Sequence, residues 1–310
     1  MRGNDHDVTG SIRTTDPDAV CAEVSRLFHG LYPQASSRPL EHAFADAARV
    51  YQGRHPRFEP CDTGFHDLQH LLEVTLAQAR LMDGYEHARR GAEPLPATLF
   101  TVGAICALFH DVGYVRRRGD QRHRTGAEYL PTHVSRGAAF LHDYLREAGL
   151  ARYANAAVAL VHFTGRERPA EAIRLDHALL RRIGQMLGTA DILAQMSDRC
   201  YLEKCRDRLY PELVAGGAAR GRFRSGEDLV GATPGFFIVA AKRLDLHLAR
   251  AHEYAARHFG GQNLYLEEIH KNVRHARVVA DARLSGLLRR TPPVTPAAAG
   301  AERRAEAARA

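Results

Sequence analysis

Residues 96–113 read PATLFTVGAICALFHDVG. A helix that is apolar all round belongs at the centre of a fold, because none of its faces suits water. At its far end stand His110 and Asp111, and RRRGDQRHR follows at 116–124. A charged pair on the end of a buried helix calls for a reason. The dipeptide alone supplies none, since His-Asp also occurs at His6-Asp7, His66-Asp67 and His142-Asp143.

On either side of this segment the pattern is helical almost throughout, and no run alternates in the manner of a strand. The spacing predicts a helix from Pro39 to Tyr51 and another from Phe65 to Tyr85, with Leu68, Leu71, Leu72, Leu76 and Ala79 on one face. Thr132 is placed to cap a helix through Glu147, and Gly149 to close it. YANAAVALVHF reads as a short buried helix, and residues 175–208 as one long helix with a bend near Gly184 and Gly188. Ser225 and Asp228 fit a capping box. Thr233-Pro234 opens a helix to about His258, and GGQN precedes the last one. The expected fold is all-α, a helical bundle around a metal centre. Its parts are a disordered segment 1–18, a helical extension 19–59, a core 60–210, a C-terminal helical extension 211–290 packed on the core, and a flexible Pro/Ala-rich tail 291–310.

Bulk properties narrow the class. The 310 residues are 45% hydrophobic and 25% charged, enough for one large core or two modest ones. No run of 18 or more apolar residues is evident and the N-terminus lacks the apolar centre of a secretory signal, so a membrane span is not expected. Five cysteines without a C-x-x-C pair fit reduced thiols in a cytoplasmic protein. A net charge of +7 favours anionic ligands. It makes nucleic acid no more than the last-ranked partner, because no recognition motif or basic-aromatic stripe accompanies it.

Several histidines and aspartates fall on the apolar helices: His70 among leucines, His110 and Asp111, His133 at the start of its helix, His162 at the end of ALVH, and Asp191 in GTADILAQM. Any one histidine taken singly reads as a hydrogen-bonded core residue. Six together are another matter, because each buried alone would cost several kcal/mol (roughly). A shared metal centre removes that cost for all of them. Adjacent helix residues point about 100° apart, so His110 and Asp111 suit two ions about 3.5–4 Å apart, with Asp111 between them. The ligand types suit iron, manganese, magnesium or zinc, and the expectation is two divalent ions.

FHDLQH (65–70), ALFHDVGY (107–114), THVSRG (132–137), LVHFTG (160–165) and GTADILAQ (188–195) together resemble the H…HD…H…H…D pattern of the HD-domain superfamily of metal-dependent phosphohydrolases. The resemblance covers roughly residues 60–210. It implies an all-α bundle, with His70, His110, Asp111 and Asp191 as core ligands and His133 and His162 as the extra histidines of the binuclear subgroup. His66 and His70 are further similar to the first motif of cyclic nucleotide phosphodiesterases, which implies that His66 protonates a leaving oxygen. His123 stands only loosely where those enzymes carry another histidine. There are departures. Tyr114 replaces the usual lysine of HD-x-G-K, no Gly-Tyr-Pro follows His162, and the Glu-Asp pair of alarmone hydrolases is absent.

The resemblance therefore implies hydrolysis of a nucleotide, a cyclic nucleotide or a small phosphoester by a metal-activated water, with Asp111 and His66 catalytic. Arg116 and Lys204 are the candidate phosphate contacts. Two other functions share these ligands: a mixed-valent di-iron oxygenase of the same superfamily, and a non-catalytic sensor holding a nucleotide through its metal site.

Overall fold

A computed structural model describes residues 2–165, 167–282 and 285–294. No strand occurs among them, and the only β pairing is two isolated bridges, His6 with Arg13 and Phe58 with Arg117. The expected tail lies largely outside the described residues, from 295 onward.

Four helices build the frame: α1 (Pro17–Leu31), α2 (Arg38–Tyr51), α3 (Leu68–Ala88) and α4 (Ala97–Phe109). Helix α4 is buried from Leu99 to Phe109. Helices α5 (His133–Glu147), α6 (Ala154–Val161) and α7 (Ala178–Ser197) close around it, with α3 and α7 forming the most extensive contact. Residues 97–114 are in fact apolar enough over 18 residues to cross a bilayer, contrary to the reading of the sequence, but 89% of them are buried inside the protein. One continuous core runs from Val20 to Leu288, so the flanking helices share it with the central segment.

Several expectations need correction. Residues 2–16 are folded rather than disordered. Asp7 is buried, receives the Ile12 amide and pairs with Arg80 at 2.5 Å, and Asp16 caps α1 through the Asp18 and Ala19 amides. The long helix ends at Ser197 and does not run to residue 208. The Asp198 carboxylate accepts the Cys200 amide at 2.6 Å, an Asx-type turn that competes with the helix. A short α8 (Tyr201–Lys204) and a π turn, Cys205–Leu209, follow. Gly184 and Gly188 lie within α7, which continues through both as α-helix. They admit Phe163, whose carbonyl would lie 2.4 Å from a Cβ on Gly188.

After α9 (Tyr210–Ala215) and α10 (Gly226–Gly231), the expected helix 233–258 is also divided. Helix α11 (Thr233–Lys242) passes into a π turn, Arg243–His247, and Ala249 and Arg250 take positive φ before α12 (Glu253–His258). The break lets Leu248, Ala251 and Ala255 bury completely. Helix α13 (Leu264–Ala282) then lies against α7.

The turn after α4, Val112–Tyr114, lies against the start of α5. A Cβ on Gly113 would stand 1.8 Å from the His133 carbonyl. Gly113→Ala must therefore push α5 away from the His110-Asp111 turn, and we expect a loss of about 1–3 kcal/mol. Chemical denaturation checks this: wild-type stability in the variant would mean the approach is looser than described.

Candidate metal centre

Helix termini bring the side chains together. Asp67 caps α3 by accepting the His70 amide at 3.1 Å, which fixes His70 in the first turn. His110 stands immediately after α4, His133 opens α5, His162 follows α6, and Asp191 lies within α7. The His70 Nε2 atom is 3.5 Å from Asp111 Oδ2 and 3.4 Å from Asp191 Oδ1. The His110 Nε2 atom is 3.2 Å from Asp111 Oδ2 and 3.9 Å from Asp191 Oδ1. One ligand atom each from His70, His110 and Asp191 lies within 4.8 Å of the others. The remaining Asp111 oxygen, Oδ1, faces His133 Nε2 at 3.6 Å.

Hydrogen bonds fix the rings. His110 Nδ1 donates to the Ala107 carbonyl at 2.8 Å, and His133 Nδ1 to the Leu130 carbonyl at 2.7 Å. Each ring is then left with an Nε2 lone pair turned to the cluster, the tautomer a metal ligand requires. The Nε2 atoms of His70 and His110 are buried without a hydrogen-bond partner. Buried polar atoms are otherwise almost always satisfied, so these donors fit a cation. The donor set of imidazole and carboxylate is suited to first-row divalent metals.

The electrostatics agree. Burial opposes a proton on His70, but Asp111 and Asp191 outweigh it and push its pKa up to about 10. Burial likewise opposes ionisation of Asp111, yet His110 and His70 hold its carboxyl well below the usual range. Burial lowers His133 and His162, keeping both imidazoles neutral.

His66 differs from its expected setting. Helix α3 begins at Leu68, so His66 sits in the preceding turn and not on the helix face. Its ring still lies 5.7 Å from that of His70, edge to face. Glu212 of α9 holds it: the carboxylate accepts the His66 Nδ1 proton at 2.5 Å and the Phe65 amide at 2.6 Å. Burial would depress the His66 pKa, but Glu212 and then Asp111 raise it. Tyr114 stacks between His66 at 4.6 Å and His133 at 4.3 Å. Tyr114 thus forms a flat wall beside both imidazoles. Glu212 escaped sequence reasoning because YPELVA carries no motif.

Other expected residues are placed elsewhere. Among the described residues, His162 makes no ion pair with the cluster carboxylates, although its Nδ1 is buried and unpartnered. Lys204 is buried against Asp198 and is no free anion contact. Arg116 binds Asp62 at 3.1 Å and the His123 carbonyl at 3.3 Å, so it secures the loop. His123 pairs with Glu128 at 3.3 Å and is not a ligand. His142-Asp143 lies on the surface, Asp143 being 75% exposed.

No family model matches the chain, and neither a characterised protein nor a solved structure matches it.

Proposed function

We propose that the chain is a metal-dependent phosphohydrolase, and more narrowly a phosphodiesterase acting on a nucleotide or cyclic nucleotide. The observation that carries this reading is the convergence of His70, His110, Asp111 and Asp191, with two buried Nε2 atoms that lack any other partner. These four residues would hold a divalent ion. A second ion would draw on Asp111 and His133. When bound, the ions supply Lewis acidity toward phosphoryl oxygens and a water acidified toward neutral pH.

The chain's own residues account for the rest. Asp111 directs one oxygen to His70 and His110 and the other to His133, so it serves both sides of the centre. His66 keeps its Nδ1 proton on Glu212, which leaves Nε2 to give a proton to a departing alkoxide. Glu212 and Asp111 raise the His66 pKa, which favours the protonated ring. Tyr114 and the Phe65 ring, 5.1 Å from His66, limit how the imidazole can turn. All five cysteines are free thiols, which suits a cytoplasmic setting.

Release of p-nitrophenol from bis-(p-nitrophenyl) phosphate, with and without chelator, tests the reading. Chelator-sensitive hydrolysis supports it. Oxygen consumption by the iron-loaded protein without ester hydrolysis overturns it in favour of an oxygenase. His66→Ala should keep its metal while turnover falls by about 10²–10⁴-fold. Metal loss in that variant would remove His66 from the role of proton donor.

A further inference from the structure

Beside the centre, and sharing none of its ligands, lies a concave feature. The bridge between Phe58 and Arg117 is closed by the Glu59 amide on the Arg116 carbonyl at 2.9 Å and the Arg118 amide on the Arg57 carbonyl at 3.0 Å. This pairing ties the loop after Asp111 to the segment before α3. Two clefts open around it, of about 430 Å³ and 560 Å³. Phe58, Arg117, Arg118 and Phe140 line both, so the clefts adjoin.

Three chemistries meet there. The first is cationic: Arg57, Arg117 and Arg118 stand exposed at the bridge. Arg118 is 3.6 Å from Glu59, but among the described residues neither Arg57 nor Arg117 has a carboxylate within ion-pair distance. The second is aromatic: Phe140 and Tyr144 lie parallel, 15° apart with centroids at 5.8 Å, and Phe58 meets Phe140 edge-on at 5.8 Å. The third is acidic. Asp46, Asp143 and Glu147 line the first of the two clefts, with Asp46 engaged by Arg49 at 3.2 Å and by the Tyr144 hydroxyl at 3.1 Å. Free guanidinium groups bind phosphate oxygens, ring faces take a base, and carboxylates accept protons from amino or hydroxyl groups. A plain anion would use only the first of these. A ligand that uses all three carries a phosphate, a flat ring and hydrogen-bond donors.

We infer that this cleft binds a nucleoside phosphate at a site separate from the metal centre. The phosphates lie on Arg57 and Arg117, and the base lies along Phe140 and Tyr144 toward Asp143 and Glu147. Phe140, which lines the cleft, lies 5.1 Å ring to ring from Phe109, and Phe109 directly precedes His110.

Equilibrium binding to the full chain in the presence of chelator tests the site, with ATP, AMP, adenosine and pyrophosphate as probes. Saturable binding of ATP is expected, tighter than that of pyrophosphate or adenosine. The double variant Arg57→Ala/Arg117→Ala, both positions being exposed, should weaken ATP binding at least tenfold while its thermal melt stays that of the wild type. Asp111→Asn should leave ATP binding as it was. Equal affinity for pyrophosphate and ATP would overturn the nucleotide assignment. Binding that survives the double substitution, binding lost in Asp111→Asn, or no binding at all would overturn the site.

Discussion

Asp111→Ala should leave the protein folded but unable to retain metal or to hydrolyse phosphoester. Asp111 is the residue that touches the most members of the centre: His70, His110 and His133 each lie within 3.6 Å of its oxygens. Loss of an outer partner of a metal ligand already costs roughly 10–100-fold in affinity, so loss of this carboxylate should exceed the upper end of that range. His70 and His110, both buried, would then keep only Asp191 of the cluster's carboxylates, and His133 would lose the one it faces. Metal content after gel filtration and turnover in the same sample check the result. A variant that keeps full metal and loses only turnover would make Asp111 a base and not a ligand.

Asp7→Ala should be the most destabilising single change outside the centre. The Asp7–Arg80 pair is almost wholly buried, and Arg80 also donates to the Tyr265 hydroxyl at 3.1 Å and lies over the Phe259 ring. Breaking such a pair leaves a buried charge without compensation, which costs about 3–5 kcal/mol. A fall in Tm on the order of 10 °C follows. Replacing both partners, Asp7→Leu with Arg80→Met, should recover much of the loss. The pH dependence has a definite sign. Burial would raise the Asp7 pKa, but Arg80 and the Ile12 amide bring it below its ordinary 3.8. The stabilisation is therefore complete above that value and is lost as pH falls through the lower folded pKa. Wild type and Asp7→Asn should differ most near neutrality and begin to converge only as pH falls below about 4. A constant gap between them down to pH 2 would contradict the pairing.

The two predictions also mark what the sequence could and could not reveal. Helix α4 was legible because thirteen residues without a polar face admit one place in a fold. The convergence of His70, His110 and Asp191, with Asp111 and His133 beside them, was legible because these are polar groups on apolar helices, and such groups need a partner. The partners themselves were not legible where they come from far along the chain. Glu212 reaches His66 from 146 residues away, and Arg80 reaches Asp7 from 73. A polar N-terminus looks disordered until that arginine is placed. Arg116 and Lys204 looked free for the same reason, since Asp62 and Asp198 occupy them only in the folded chain. The breaks at Asp198 and Ala249 were hidden because local helix propensity continues through both, while burial of Leu248 and Ala251 decides the path.

X-ray absorption at the edge of a metal loaded into the chelator-stripped protein tests the centre most directly. The account predicts a shell of nitrogen and oxygen at about 2.0–2.2 Å with the outer scattering of at least two imidazoles, and loss of the imidazole signal in His70→Ala/His110→Ala. A shell of water oxygens alone, a sulfur ligand, or the same spectrum in the double variant would contradict it.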